Sequence, residues 1–341
     1  MKALALRDIL KYAYFEFFSL AGVYRRLRQQ NRHSVVVLTY HGVVPEIPAG
    51  AFEFEYRNFV TTRQFRQQLQ FLTKNYQIIH PDELANFQSG FKPGFLITFD
   101  DGFYNNLKYA APLLQEFKVP ACFFITTGLV GTSDMLWTEK VTFWLANTPE
   151  KEISLPELFP EKLPVKTRAQ REEASQKIRM RLKALPLVRR EQMMALLERQ
   201  IGGIDKSRIS HWNDRYRFLD WDEVAKFSEY GQVVGSHTHT HPILSSLDEA
   251  HSWQELEISK RLIEENSNKD CCYFAYPNGT KGDFNETHIE QLRKLEYKLA
   301  FTQEPGLVTP GSHPYKMERL NVTQKMSLPV FKALVSGFRL K

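Results

Sequence analysis

Short runs of β-branched and aromatic residues alternate with segments of helical periodicity from Ser34 to the end of the chain. The apolar runs predict strands at 35–40 (VVVLTY), 76–79, 95–99 (FLITF), 121–126 (ACFFIT), 232–236, 272–276 (CYFAY), 297–302 and 318–322. Helical patterns fall between them at 62–74, 82–88, 105–117, 248–266 and 285–294. Strand and helix in alternation is the signature of an α/β protein with a mostly parallel sheet. The number of units points to a barrel rather than an open sheet, and barrels of this kind carry their chemistry just past the C-terminal ends of the strands.

Two segments break the rhythm. Residues 131–216 show no βα repeat, and 168–200 read as basic, amphipathic helix with Ile178, Leu182, Leu185, Met194 and Leu197 as its apolar positions. This is read as a helical insertion after the fourth strand, covering one side of the barrel mouth. Residues 1–33 form an apolar, aromatic and basic helix ahead of the barrel, which occupies 34–341.

Composition narrows the class. With 341 residues, 43% apolar and 25% charged, the chain buries at least one full core. No run of eighteen uncharged apolar residues occurs, which argues against a conventional membrane span. Three cysteines, two of them adjacent at Cys271 and Cys272, make neither a disulfide framework nor a C-x-x-C site.

The net charge of +6 is unevenly spread. Residues 1–33 hold seven Lys/Arg against Asp8 and Glu16, and 161–200 hold eleven against five acids. Arg7, Asp8, Lys11 and Glu16 interrupt the first apolar stretch, so it does not read as a secretory signal. It fits a helix of residues 1–30 lying on an anionic membrane surface, or a terminal helix packed on the domain. No nucleic-acid signature is present.

Candidate chemistry gathers where strands end. Thr98-Phe99-Asp100-Asp101-Gly102 follows FLIT. Adjacent carboxylates repel unless a cation or a raised pKa accommodates them, which suggests a metal ligand, a general base or both; the competing reading is a helix N-cap. His237-Thr238-His239-Thr240-His241-Pro242 follows QVVGS. Three histidines in five residues favour metal binding, with His237 and His241 converging if the segment turns helically and His239 pointing elsewhere. Tyr276-Pro277-Asn278-Gly279 is a turn after a further strand, and His41 follows the first strand as a substrate contact or a hydrogen-bonded strand end.

The ordered set TFDDG, HTHTH and a Tyr-Pro turn resembles the polysaccharide deacetylases of the NodB-homology type, carbohydrate esterase family 4. The resemblance covers roughly residues 34–130 and 216–338. It implies an irregular (β/α) barrel with seven strands and metal-dependent removal of an acetyl group from a sugar. It makes Asp100 the general base, assigns a divalent metal, zinc in the first place, to Asp101, His237 and His241, and gives the backbone N–H of Asn278 to the oxyanion. His41, Tyr276 and Pro277 are the expected substrate contacts.

Several positions depart from the family pattern. The third motif's arginine is replaced by Ala275, and Arg319 in ERLNV is the candidate that reaches the site in its place. The usual Leu-x-His acid is missing; His288 is expected on a helix surface and His313 in a loop, which leaves His41 as a candidate acid. Asp220-Trp221-Asp222-Glu223 resembles a family motif that orients a ligand, and reads equally well as a packing anchor.

The resemblance thus implies a hydrolase that deacetylates an N-acetylated amino sugar in a cell-envelope or exopolysaccharide pathway. The alternatives are a deacetylase or deformylase of a lipid-linked sugar at the membrane, and a non-catalytic carbohydrate-binding relative. The interrupted N-terminus suggests the cytoplasm or the inner face of the membrane, whereas many relatives work outside it.

Overall fold

The computed structural model describes residues 6–87, 90–201, 204, 209 and 211–338. Its central sheet contains β1 (Val35–Tyr40), β2 (Gln77–Ile78), β3 (Gly94–Phe99), β4 (Ala121–Ile125), β5 (Val233–Ser236), β6 (Tyr273–Ala275), β7 (Leu299–Phe301) and β8 (Leu320–Asn321). The order is β7-β6-β5-β4-β3-β1-β8, seven strands along one path, and all pairings in this sheet are parallel. β2 is the eighth strand and occupies the gap beside the start of β3, before β4 begins to pair. The sheet curls until its edges approach: Phe301 at the end of β7 bridges Met317, on the segment that enters β8.

β1 and β3 are buried at every position, as expected of parallel strands covered on both faces. Successive side chains alternate between the faces. Val36, Leu38, Phe95, Ile97, Phe123 and Phe274 face outward into the layer of helices. Val35, Val37, Leu96, Phe124, Ala275 and Phe301 face inward, into the barrel. This parity decides which residues reach the mouth: Thr39 leads to His41, Leu96 to Thr98 and Asp100, Gly235 to His237, and Phe301 to Gln303.

The helices between strands are α3 (Thr62–Asn75), α4 (Ala111–Phe117), α8 (Trp221–Glu229), α9 (Glu249–Ser267), α10 (Glu286–Lys294) and α11 (Leu328–Val335). The segment expected as one helix over 105–117 starts as a π-turn, Asn106–Ala110, before α4, and that expected at 82–88 is a 3-10 turn over Pro81–Asn86, with residue 88 outside the described residues. The strand expected at 76–79 is trimmed to Gln77–Ile78.

The insertion follows β4. It contains α5 (Trp137–Asn147), a short antiparallel pair (Glu152–Ile153 with Leu163–Pro164), α6 (Arg168–Lys183) and α7 (Leu187–Ile201), so it is not wholly helical. The helix expected over 168–200 is two helices, because Pro186 cannot continue α6. Phe143, Ile153, Ile178, Leu182 and Leu197 give the insertion its own core, continuous with Phe59, Phe103 and Phe218 beneath it.

The N-terminal segment is likewise two helices, α1 (Leu6–Leu20) and α2 (Val23–Gln30), broken at Gly22, whose φ of 76° is left-handed. They pack on α11 through Phe15, Tyr24, Val330 and Ala333.

Candidate metal centre and active-site cleft

The ladder between β1 and β3 continues one residue past the strand, with Asp100 N–H donating to Tyr40 O at 3.0 Å. The chain then turns sharply through Asp101 (φ 78°) and Gly102 (φ 92°). A left-handed aspartate costs roughly 1 kcal/mol or more and persists only where its surroundings impose it. Among the described residues the Asp101 carboxylate caps no helix; it faces two imidazoles.

The histidine segment does not turn helically as expected. Thr238 (φ 65°) and His241 (φ 61°) are both left-handed, and the loop is held by side chains instead. Thr238 Oγ1 accepts from His241 N–H at 3.0 Å, while the Glu255 carboxylate on α9 accepts from the amides of His239 and Thr240 at 2.8 and 2.7 Å. The outcome is convergence: His237 Nε2 and His241 Nε2 lie 3.6 and 3.5 Å from Asp101 Oδ1, and one donor atom from each residue falls within 4.8 Å of the others. His239 turns away, its Nδ1 3.0 Å from Thr127 Oγ1.

The donor set fits a cation. His237 Nδ1–H donates to Ala275 O at 2.7 Å, which leaves Nε2 as the lone-pair donor. Burial pushes the His237 imidazole down to about 4 and holds His241 well below its ordinary value, so both are neutral and able to ligate. Burial, and then the charge of Asp100, push the Asp101 carboxyl well above its ordinary value, a cost that a bound cation would relieve. One carboxylate oxygen and two imidazole nitrogens leave positions open for other ligands.

Asp100 is gripped from the far end of the chain. Arg319 Nη1 donates to Asp100 Oδ1 at 2.7 Å and Nη2 to Oδ2 at 2.8 Å, while its Nε donates to Thr302 O at 2.8 Å. Gln303 Nε2 adds a bond to Oδ2 at 3.0 Å. Burial alone would raise this carboxyl, but the Arg319 charge and hydrogen bonds and the nearby imidazoles bring it down to about 2. Arg319 thus reaches the site from the segment that enters β8 and holds both oxygens of Asp100.

These groups open on a cleft of about 570 Å³ whose lining includes His41, Asp100, Asp101, His237, His241 and Asn278. The insertion supplies a wall: Trp137 and Glu139 from α5, and Arg179 and Lys183 from α6. Those residues, with Gln303 and Glu255, escaped the sequence reading. Parity along β7 alone would have found Gln303.

Tyr276 and Pro277 do not line the cleft, contrary to the expected substrate contacts. Tyr276 falls on the outward parity of its strand, where its ring stacks on Phe284 and its hydroxyl donates to Tyr315 O at 3.1 Å; Pro277 is buried. Asn278 is left-handed (φ 62°), its side chain donates to Asp283, and among the described residues its backbone N–H has no acceptor. His41 reaches the cleft with a buried Nδ1 that has no hydrogen-bond partner among the described residues. His313 is exposed in a loop, as expected, but His288 is buried, its Nδ1 accepting from Asn285 N–H at the start of α10. Asp220 and Glu223 form a reciprocal cap on α8 and Trp221 packs on the core, so that segment is the packing anchor and not part of the cleft.

The polysaccharide deacetylase family model matches residues 90–157 and 201–300, which contain both the carboxylate pair and the histidine loop. The chain belongs to the polysaccharide deacetylase family. The family's match skips 158–200, the part of the insertion that holds α6 and most of α7, and ends before Arg319.

YxkH of Bacillus subtilis strain 168, which bears a polysaccharide deacetylase name, is 25% identical over 121 residues, covering 36% of this chain and 42% of that protein. The matched part is thus less than half of that relative. Among solved structures, the fold is similar to IcaB from Ammonifex degensii (TM-score 0.56, 21% identity, covering 89% of this chain and 98% of that one). It is also similar to the Streptococcus pyogenes deacetylase PplD in complex with acetate (TM-score 0.55, 18% identity, 87% and 95%).

Proposed function

We propose that this protein is a metal-dependent hydrolase that removes the acetyl group from an N-acetylated amino sugar of a polysaccharide. The supporting observation is the convergence of Asp101, His237 and His241 beside a second carboxylate, Asp100, locked by Arg319. A structural or binding role would need neither the open ligand set nor the adjacent ionised acid. A divalent cation held by the three residues, zinc best matching one oxygen and two imidazole donors, supplies a Lewis acid that polarises a carbonyl and acidifies water.

The chain's own groups carry the proton traffic. Asp100 stays ionised at neutral pH, and its three hydrogen bonds from Arg319 and Gln303 use three of about four acceptor directions, leaving one for a water proton. As water attacks the acyl carbon, Asp100 takes that proton; the C–N bond then breaks and the departing amine needs one in return. His41, the cleft histidine outside the ligand set, is the proposed donor: burial leaves its imidazole neutral at rest, so it passes to the amine the proton that Asp100 has taken from water. The free N–H of Asn278 is the proposed partner for the developing oxyanion.

Purified protein should contain a divalent metal by elemental analysis and should release acetate from an N-acetylglucosamine oligomer. Turnover insensitive to chelation, or no metal uptake after add-back, would overturn this reading.

A further inference from the structure

Three cations line the cleft without a carboxylate of their own. The acids there are already matched: Asp100 is paired with Arg319, Asp101 faces the two imidazoles, and Glu139 is paired with the buried Arg215. Arg57, Arg179 and Lys183 remain, and among the described residues none of them has an acidic oxygen within salt-bridge distance. Arg179 and Lys183 are one turn apart on α6, and Arg179 is half-buried with only its Nε engaged, donating to Ser175 O of its own helix at 3.3 Å. Arg179 feels the attraction of Glu139, which is already paired with Arg215, and the repulsion of Arg57 and Arg215. Arg57 and Lys183 are exposed and Arg179 half-buried at the cleft wall, so the three present a positive surface that an anion entering the cleft would meet. α6 lies in the stretch that the family model skips, so Arg179 and Lys183 belong to the insertion, while Arg57 comes from the loop that follows β1.

We propose that the cleft contains an anion subsite, formed by Arg57, Arg179 and Lys183, for a phosphate or carboxylate carried by the acylated sugar or by the unit next to it. This rests on the deacetylase reading above. The phosphate would come from a glycosyl phosphate linkage, the carboxylate from an acidic sugar. Acetate release is compared for a neutral N-acetylglucosamine disaccharide, N-acetylglucosamine 1-phosphate, and a disaccharide of N-acetylglucosamine with glucuronic acid. One anionic substrate should exceed the neutral one at least tenfold in kcat/KM, which identifies the source. The double variant R179Q/K183Q, and separately R57Q, should cut that ratio at least tenfold. Titration of inorganic phosphate into wild type and R179Q/K183Q reads the subsite without turnover: a tenfold weaker affinity in the variant supports it even if no sugar is hydrolysed, in which case the deacetylase reading alone falls. An unchanged substrate ratio together with unchanged phosphate affinity overturns the subsite.

A separate observation concerns α1. Of the nine exposed large hydrophobic residues among those described, six lie on it: Ile9, Leu10, Tyr12, Tyr14, Phe17 and Leu20, with Phe17 at 66% and Leu20 at 81% exposure. Its other face is already used, through Phe15 and Phe18 against Tyr24, Val330 and Phe338. The helix is thus apolar toward solvent, the reverse of an ordinary surface helix. Lys11 is exposed on it, Arg25 and Arg26 are exposed on α2, and Arg32 follows. No described helix is long and apolar enough to cross a membrane. We infer that α1 docks on an anionic lipid surface, its apolar face entering the headgroup region and the neighbouring cations meeting the lipid phosphates. The protein should co-sediment with phosphatidylcholine vesicles containing 30% phosphatidylglycerol, much less with phosphatidylcholine alone. F17E/L20E should abolish binding, and R25Q/R26Q should weaken it severalfold. Absence of vesicle binding overturns the inference, and a dimer broken by F17E/L20E would assign the face to a second copy instead.

Discussion

Arg319 and Asp100 stand 219 positions apart in the chain and meet as a two-pronged, fully buried pair, with N–O distances of 2.7 and 2.8 Å. The pair exists because Arg319 is on the inward parity of the segment entering β8, between Met317 and Asn321, while Asp100 continues the inward parity of β3. Removing the arginine strands a buried carboxylate. R319A should lose about 3–5 kcal/mol of stability and about 10²-fold or more in acetate release. R319K should recover part of the stability and little of the rate, since an ammonium cannot hold both oxygens at once. Denaturant unfolding and kcat measured on the same preparations check this; equal turnover by R319A and wild type would refute the role of Arg319.

Glu255 controls the histidine loop from outside it. Its carboxylate gathers the amides of His239 and Thr240 and the Thr240 hydroxyl, so the left-handed turn that delivers His241 depends on a residue fourteen positions downstream. E255A should weaken metal affinity by about 10–100-fold, the usual scale for a group that orients ligands. E255Q, which keeps one acceptor oxygen, should fall between. Competition with a chromophoric chelator measures this directly.

The fold and the Asp-His-His cluster were legible because they are written in local terms. Alternation of apolar runs reports strands, and TFDDG and HTHTH concentrate like-charged or ligating groups where no core would keep them. What was hidden depends on long-range geometry. Thr238 is β-branched, and its left-handed backbone would not be guessed from its type; it is set by hydrogen bonds to Ser236 and His241. Tyr276 follows a strand as Asp100 does, yet lies one residue out of phase with the inward face, and that single step sends its ring into the core. The insertion was expected to cover one side of the mouth, but which residues of α5 and α6 line the cleft was hidden, because an amphipathic basic helix has the same pattern whether its polar face meets water or a substrate.

Acidification should destabilise the metal-free protein. Burial lowers His41, His237 and His241 below their ordinary 6.5, His237 to about 4. The unfolded chain takes up these protons as pH falls through about 6.5 while the native state does not, so it binds more protons and stability is lost between that value and about 4. Asp101 acts with the opposite sign: its raised carboxyl favours the native state at low pH and costs stability as pH rises above its ordinary 3.8. Glu318 is raised as Asp101 is, and His288 is lowered as the other three are, so two carboxyls stand against four imidazoles and acidification brings a net loss. Chemical unfolding of chelated protein at pH 7.5 and pH 5 tests the sign, and equal or greater stability at pH 5 would contradict it.

His41 separates proton donation from metal binding. It reaches the cleft on the inward parity of β1, and its buried Nδ1 has no partner among the described residues, which leaves the ring free to exchange a proton in the proposed reaction. A glutamine there fills similar space but cannot deliver a proton to a departing amine. H41Q should therefore bind metal with the stoichiometry of wild type while kcat falls by about 10²–10⁴-fold. The loss should shrink for a substrate whose leaving group needs no protonation, such as an activated aryl ester, because the C–O bond then breaks unaided. D100N should show no such relief, since it impairs the attack of water whatever group departs. If H41Q loses equally on amide and aryl ester, His41 positions the substrate instead, and the donor must be sought elsewhere in the cleft.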